Sequence, residues 1–469
     1  MLLQRSLANR RALADMKKIR KWAVSALSQT KASYQTAARL LRPAADWISA
    51  HAFPLQILLV IIYRLALDYV YLTMVCRIYG YDGYYADVQV PLYGASLLVA
   101  LAFAPFVARL QEEPLPSARI VTFLNYIYFI PLTSYCGCGG VTVAFFLISI
   151  AYWMFLLLFQ FQLPVLALRP WPVHHARQAY LVLTVLASAF VMFISGRYTG
   201  FRFTLDFINV YGIRAEAADY SMPGVFTYAL SMSGIVLAIL LLYWLTRRKY
   251  MVVAVLVVVY LFLFSIAAHK SLFFYLLFIL AGYFLYRPWM MHWLGGLLTL
   301  FAGAAVLEEK LAGSFYLVSL FFNRVMFLVV RLGRESMEFF TENPLSLFRD
   351  SILGKLPGIC PVYTTSIARI IGEFRGHLNE NANNGLLGDL FANFPVPIGI
   401  FLLPLILIVC FRLLDAVSDK LPENLTVAAC AYFAMGFSNG SWSTILLTGG
   451  FLIACLLFYF FPKEERIQL

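Results

Sequence analysis

Charged residues are scarce in this sequence: they make up 13% of its 469 residues, whereas hydrophobic residues make up 62%. An average soluble domain contains about 25% charged residues and closer to half apolar ones. This shortage excludes an ordinary soluble globular domain. Repeated apolar stretches, each near the roughly 20 residues that a helix needs to cross a bilayer, instead predict an all-α polytopic membrane protein.

Other features are also missing. The seven cysteines are scattered and fit no common zinc spacing. The segment 79–88, YGYDGYYADV, lacks the Asp-x-Asp spacing that metal-using glycosyl transferases often carry, so no metal or cofactor is assigned. No strong internal repeat is present, which argues against a transporter built from two related halves.

The apolar stretches predict about twelve transmembrane helices in one bundle that runs from 54 to 461. A basic arm, 1–53, precedes this bundle, and a short tail, 462–469, follows it. The predicted spans are 54–76, 90–110, 120–136, 141–163, 179–196, 226–245, 251–268, 271–286, 293–308, 397–413, 425–438 and 443–461.

The net charge of +12 is uneven, because the first 50 residues hold ten Lys or Arg against two Asp. In a soluble protein this excess would indicate nucleic acid. In a membrane protein it indicates a cytoplasmic arm, with KKIRKW in an amphipathic helix against anionic membrane lipids. The basic segments 169–177, 246–250 and 287–292 fall on the same predicted side. Both termini are therefore expected in the cytoplasm, and no nucleic-acid partner is expected.

Two long connections fall on the opposite side, loop A at 197–225 and loop B at 309–396. Loops of this length are commonly functional. Within loop B, residues 315–332 are apolar enough to span, but Arg324 at their centre would cost several kcal/mol in a bilayer. We therefore expect a helix packed at the outer surface or against the bundle, and a loop B that carries short helices.

Arginines in both loops predict an anion site, because a guanidinium donates two parallel hydrogen bonds to a phosphate. Loop A contributes Arg197, Arg202 and Arg214, although Arg197 could instead anchor a span at the headgroups. On a helix over 315–340, Arg331 lies about 20° from Arg324 around the axis. The alternative for this helix is a solvated face with a local Arg334–Glu338 pair.

The segment HLNENANNGLLGDLF, from His377 to Phe391, is the most polar stretch beside an apolar span. His377 could exchange a proton near neutral pH, and Glu380 and Asp389 are alternative bases. The amides of Asn381 and Asn383 suit sugar hydroxyls, which need several directional partners. Asn, Asp and Gly are equally typical of turns and helix caps, so the pattern leaves both interpretations open.

Arg64 and Asp68 lie four residues apart inside the first predicted span. A charge in the bilayer is costly and usually paired, so these two side chains are expected to neutralise one another across one turn. A proton relay is the alternative.

Three segments, in this order, resemble the Wzy-type O-antigen polymerases, which polymerise oligosaccharide repeat units. VYGIRAEAADY is similar to the Tyr-x-x-Arg segment of that family. LFFNRVMF and FFTENPLSLFRDS resemble its Asn-Arg helix and aromatic–Asn-Pro turn. NENANNGLLGDLFANFPVPIG resembles its Asn-x-Asn-x-Gly to Gly-Asp to Asn-Phe-Gly run, with Pro395 where a glycine is usual.

The resemblance implies a GT-C-like membrane glycosyltransferase that joins undecaprenyl-diphosphate-linked oligosaccharides at the periplasmic face of the bacterial inner membrane. It implies that Arg197, Arg202, Arg214, Arg324 and Arg331 bind the donor diphosphate, and that His377 or Glu380 accepts the acceptor proton. It further implies that Asn381, Asn383 and Asp389 position the sugar or shape the loop, and that a partner is a chain-length regulator of the Wzz type, which is often a partner of this family. The alternatives are an O-antigen ligase of the same superfamily and a flippase for lipid-linked oligosaccharides.

Overall fold

The computed structural model describes residues 52–169, 173–204, 210–267, 270–351, 354, 357–377, 381–382 and 385–462. The predicted arm 1–53 and tail 462–469 lie outside these residues, apart from 52, 53 and 462. Glu380 and Asn383 lie outside them as well. Residues Gln56 to Leu469 form one compact unit of the chain.

The described residues are helical and contain no β-strand, which confirms the predicted all-α class. The helices of the first half are α1 Ala52–Val70, α2 Cys76–Tyr79, α3 Val90–Glu112, α4 Pro116–Leu124, α5 Ile130–Cys138, α6 Val143–Gln162, α7 Val173–Ile194, α8 Val210–Ala218 and α9 Gly224–Thr246. Those of the second half are α10 Tyr250–Ala267, α11 Lys270–Phe284, α12 Leu294–Ala312, α13 Leu328–Glu342, α14 Ile367–Phe374, α15 Gly385–Asn393, α16 Val396–Ser418, α17 Glu423–Asn439, α18 Trp442–Leu446 and α19 Phe451–Tyr459.

Four π-helical segments interrupt the α-helices, and two short 3₁₀ turns accompany them. The π segments are Tyr71–Val75, Asn125–Phe129, Ser195–Thr199 and Val318–Phe327. The 3₁₀ turns are Gly80–Asp82 and Pro288–Trp293. A π segment places more residues in each turn than an α-helix, so it shifts the face on which later side chains lie.

Among the described residues, eight helices are long and apolar enough to cross a membrane. The protein is therefore a multi-pass membrane protein. The eight are Phe53–Asp82, Val90–Glu112, Pro116–Cys138, Val143–Gln162, His175–Thr199, Gly224–Thr246, Val396–Ser418 and Trp442–Tyr459. The other four predicted spans are also helical, as α10, α11, α12 and α17, but each is shorter or more charged. The count of twelve stays a prediction.

The segment Pro116–Cys138 lies at the centre of the bundle, and 94% of its most apolar window is buried. The buried Asn125 has a partner inside the protein, because Trp153 Nε1 donates to its Oδ1 at 2.9 Å. The Trp153 ring also stacks on Phe129 at 5.0 Å between centroids. Buried polar groups that are bonded in this way avoid the cost of desolvation.

The predicted Arg64–Asp68 ion pair is confirmed, and both side chains are buried. Arg64 donates from Nε to Thr133 Oγ1 at 3.0 Å and from Nη2 to Ser96 Oγ at 3.0 Å. Asp68 accepts from Ser134 Oγ at 2.6 Å. The pair thereby fixes the first span to the central segment.

A second polar network lies at the end of the central segment where α4 begins. Ser117 donates from its backbone N–H and from Oγ to the Asp415 carboxylate, at 2.7 and 2.6 Å. Arg412 donates to the same carboxylate at 2.9 Å, and Arg119 pairs with Glu423. The cavity described below lies at the opposite end of this segment, beside Cys138.

Loop B carries short helices and a longer one, as predicted. Residues 316–342 form one helical run, in which the π segment Val318–Phe327 continues into α13. Gly313, with a φ of 62°, ends α12. Glu308 then accepts from the backbone N–H groups of Tyr316 and Leu317, at 2.8 and 2.9 Å. This carboxylate satisfies the first turn of the new helix, which then packs against the bundle.

Candidate functional site

A cavity of about 310 Å³ opens where the first candidate span ends. Three separate parts of the chain line it: the turn after the first span, α13, and the end of α14. The described lining residues are Tyr81, Asp82, Gly83, Arg331, Arg334, Glu335, Glu338, Phe374, Arg375 and His377. Most of these side chains are charged, which is unusual so close to an apolar helix end and marks the cavity as a candidate site.

The turn at Gly83 brings Asp82 into the cavity. Gly83 has a φ of 89°, a backbone conformation that other residues rarely adopt. The chain then folds back on the bundle, where the Asp87 N–H donates to the Cys138 carbonyl at 2.9 Å. The turn is thereby held against the end of α5.

Two arginines and two carboxylates form a buried ring in the cavity wall. Arg375 Nη2 donates to Asp82 Oδ1 at 2.8 Å, and Arg331 Nη1 lies 3.4 Å from Asp82 Oδ2. Arg331 Nε donates to Glu335 Oε1 at 2.7 Å, and Arg375 Nε lies 3.1 Å from Glu335 Oε2. Removing one partner of a buried pair leaves an uncompensated charge and costs about 3–5 kcal/mol. This ring is therefore a rigid scaffold.

Arg331 stays charged in this setting. Burial disfavours the guanidinium charge, but Glu335, Tyr84 and Asp82 outweigh burial and raise the pKa of Arg331 above its usual value. The guanidinium carbon also lies 4.5 Å from the centre of the buried Tyr84 ring. Arg331 thus provides a fixed positive charge behind the cavity.

Arg334 is the arginine with the most easily displaced partner. Its Nε lies 3.2 Å from Oε1 of Glu338, whose side chain is 44% exposed. Its Nη1 donates to Tyr85 Oη at 3.3 Å, and its guanidinium carbon lies 5.9 Å from the Tyr135 ring centre. The aromatic contacts hold the guanidinium in place, while a helical ion pair of this kind contributes only about 0.3–0.5 kcal/mol. An arriving anion can therefore replace Glu338.

His377 lies at the open side of the cavity, with its side chain 42% exposed. Its Nε2 is 3.0 Å from Asp82 Oδ1. The roles of the two ring nitrogens depend on the tautomer, and a histidine side chain can both give and accept a proton. Asp82 therefore both completes the buried ring and orients the histidine.

Among the described lining residues the charges are balanced, with three arginines against three carboxylates. The arginines are Arg331, Arg334 and Arg375, and the carboxylates are Asp82, Glu335 and Glu338. Since four of these six groups belong to the buried ring, only the Arg334–Glu338 pair can open cheaply. A multiply charged anion that enters the cavity would therefore compete with Glu338 for Arg334.

The structure does not bring the loop A arginines to this cavity, which corrects the predicted grouping. Arg202 Nη1 pairs with Glu216 Oε2 at 2.7 Å within loop A. Arg197 is exposed and lies over the Tyr198 ring, and Arg214 is half-buried in α8. None of the three is among the described residues that line the cavity. The physical reason is that loop A packs on α10, where Arg202 finds a local acidic partner.

The predicted stripe of Arg324 and Arg331 is also wrong. Arg331 is buried in the cavity wall, whereas Arg324 is exposed and does not line the cavity. The prediction assumed 100° per residue, but Val318–Phe327 is π-helical. The wider turn changes the angle between the two side chains.

Asp389 lies away from the cavity lining and is fully buried in α15, all nine residues of which are buried. Its Oδ2 accepts from the Trp442 backbone N–H at 2.6 Å, and Asn393 Nδ2 lies 3.4 Å from Oδ1. Burial raises the pKa of Asp389 to about 7, although the hydrogen bonds from Trp442 and Ser441 oppose this shift. Asp389 therefore connects α15 to the start of α18. Asn381 is exposed and outside the lining, while Glu380 and Asn383 lie outside the described residues.

Sequence reasoning assigned no role to Asp82, Glu335 or Arg375, although all three line the cavity. One local signal was available in α13, where RLGRESME contains two interleaved Arg–Glu pairs at four-residue spacing. The Arg334–Glu338 pair was considered, and the structure contains it. Nothing in the sequence links Asp82 to α13, because their contact spans 249 residues.

Within the described part of the chain, no group of three or more His, Cys, Asp or Glu side chains is placed to hold a metal ion. Comparison with known proteins adds no assignment: no family model matches the chain, and no curated protein or solved structure matches it.

Proposed function

We propose that this protein is a membrane glycosyltransferase that joins oligosaccharide repeats carried on a polyprenyl diphosphate. The proposal combines the resemblance to O-antigen polymerases with one structural observation. A single open cavity at the end of a membrane-spanning helix holds an arginine with a displaceable partner and a histidine bonded to a carboxylate.

The position of the cavity fits a substrate that is part lipid and part sugar. Asp82 is the last residue of the first candidate span, so the cavity opens where the apolar helix surface gives way to polar groups. A polyprenyl diphosphate keeps its chain in the bilayer and its diphosphate at this boundary. In the proposed orientation the cavity faces the periplasm from the bacterial inner membrane, where a Wzz-type chain-length regulator is the proposed partner.

The diphosphate of the donor is proposed to bind Arg334 and to displace Glu338. Arg331 and Arg375 stay in the buried ring, and their charge stabilises the negative charge that develops on the departing diphosphate. Of the arginines predicted to bind the diphosphate, this assignment retains Arg331. It replaces the loop A arginines with Arg334 and Arg375.

His377 is proposed to act as the base. The acceptor hydroxyl oxygen bonds to the anomeric carbon of the donor, and its proton passes to the imidazole of His377. The bond from that carbon to the diphosphate oxygen breaks, and the diphosphate leaves with the electron pair. Asp82 stabilises the imidazolium that forms, because its carboxylate lies 3.0 Å from Nε2.

The test is turnover of purified protein given lipid-linked repeats alone. We expect a ladder of glycan lengths from the wild type, and at least a tenfold loss of turnover in Arg334→Ala and His377→Ala. Arg369→Ala is the matched control, since Arg369 also pairs with a glutamate one turn away but does not line the cavity. Wild-type rates in both cavity variants would overturn the proposed roles.

The same assay separates the alternative functions. An O-antigen ligase would give no ladder from repeats alone and would transfer glycan only when a different acceptor is added. A flippase would form no glycosidic bond and would only move the lipid across liposomes. Either result would overturn the polymerase proposal.

A further inference from the structure

A second cavity, of about 350 Å³, lies between the first span and α12. Its described lining residues are Tyr69, Thr73, Met74, Arg77, Val306, Glu309 and Lys310. Part of the wall is the π segment Tyr71–Val75, and such interruptions are frequent at functional sites. The sequence pattern did not predict this cavity, and none of the proposed reaction steps takes place in it.

The cations of the second cavity are accessible to an anion. Arg77 forms an ion pair with Glu309, yet its side chain is 58% exposed, and Lys310 is exposed as well. An exposed ion pair contributes about 0–1 kcal/mol, so the carboxylate is easily replaced. The arrangement repeats that of Arg334 and Glu338: an arginine is held by a glutamate that a diphosphate can displace.

The second cavity also borders a lipid-facing surface. Leu58, Ile62, Leu65 and Tyr69 are exposed and recur along one face of the first span at helical spacing. This span and α12 approach closely at Gly295, where an added Cβ would lie 3.0 Å from the Leu59 carbonyl oxygen. At the other end the cavity lies between them, and Tyr69 belongs both to the exposed apolar face and to the cavity lining, so this face leads to the cationic cavity.

The two cavities lie on consecutive parts of one segment. Arg77 lines the second cavity, and Tyr81, four residues later, lines the first. A polymerase must hold two lipid-linked substrates with their sugars close together. Two adjacent head sites on one segment satisfy this requirement.

We infer that the second cavity is a headgroup subsite for a second polyprenyl-diphosphate-linked substrate, with Arg77 and Lys310 binding its diphosphate. This inference rests on the proposed function for the identity of the ligand. The exposed apolar face favours a lipid-borne diphosphate over a free one, because it offers the isoprenoid chain a surface to lie on.

The test measures binding of farnesyl diphosphate to purified protein by native mass spectrometry. We expect two bound molecules in the wild type, one in Arg77→Ser/Lys310→Ser and one in Arg334→Ser. Arg369→Ser is the control and should keep two. Glu309→Gln should tighten binding at the second cavity, because it removes the competing carboxylate.

Several results would overturn the subsite. One is two bound molecules in Arg77→Ser/Lys310→Ser, and another is a single bound molecule in the wild type. A third is displacement of farnesyl diphosphate from the second cavity by an equal concentration of phosphatidylglycerol, which would indicate an ordinary lipid site. If inorganic diphosphate binds the second cavity as tightly as farnesyl diphosphate, the lipid assignment is wrong. The turnover assay tests the proposed function independently of this binding test. If the wild type binds two molecules but makes no glycan ladder, the polymerase proposal is wrong and the second binding site stands.

Discussion

The Nη2 atom of Arg375 lies 2.8 Å from Oδ1 of Asp82, although 293 positions separate the two residues in the chain. The same carboxylate contacts Arg331 and His377. Asp82 therefore ties the end of the first span to both helices that line the candidate site. Any ligand that enters the cavity meets a wall whose charges are already fixed relative to one another.

The buried ring predicts strong coupling between Arg331 and Glu335. Arg331→Met should lower the free energy of unfolding by about 3–5 kcal/mol, because Glu335 and Asp82 lose a buried partner. Combining Arg331→Met with Glu335→Gln should cost less than the sum of the single changes. Thermal unfolding of the purified variants in one detergent measures this coupling. Strictly additive losses would contradict the ring.

Glu338 is predicted to compete with the diphosphate for Arg334. Glu338→Gln should therefore lower KM for the lipid-linked repeat, by about twofold if the pair is worth about 0.3–0.5 kcal/mol. Arg334→Ala should change KM in the opposite direction. Steady-state kinetics on the two variants provide the comparison, and parallel changes in both would contradict the displacement.

Gly385, at the start of α15, is predicted to tolerate no side chain. Its φ is 60°, and an added Cβ would overlap the backbone carbonyl oxygen of Ser438. Gly313→Ala is the matched control, because Gly313 has a φ of 62° and open space around it. The control should cost about 1–2 kcal/mol from backbone strain alone.

Gly385→Ala should cost clearly more than this control, because the clash adds to the strain. Thermal unfolding of both variants against the wild type measures the difference. Equal losses in the two variants would show that α15 does not pack closely against α17.

Asp389 predicts a pH dependence of stability. Its pKa rises from the usual 3.8 to about 7 in the folded protein. Between these values the folded chain keeps a proton that the unfolded chain has released, so stability falls as pH rises towards 7 and is level above it. Asp389→Asn keeps an oxygen for the Trp442 N–H but cannot ionise.

The difference in unfolding temperature between Asp389→Asn and the wild type should therefore shift in favour of the variant from pH 5 to pH 8. Tyr152 is a titratable neighbour that interacts with Asp389. A difference that stays constant over this range would contradict the raised pKa.

The sequence alone determined the class of the protein and the positions of its helices. Apolar length is a local property, so all twelve predicted spans coincide with helices, and eight of these are long and apolar enough to cross a membrane. Pairs at four-residue spacing are also local, and Arg64–Asp68 and Arg334–Glu338 both form.

Only the tertiary structure decided which charges share a cavity. Arg324 does not share the predicted stripe with Arg331, because a π segment changes the helical phase, and Arg202 of loop A pairs with Glu216 in the same loop. Asp82 and Arg375 gained their roles from a contact between distant parts of the chain. Helix formation depends on neighbouring residues, whereas the convergence of charges depends on how the finished helices pack.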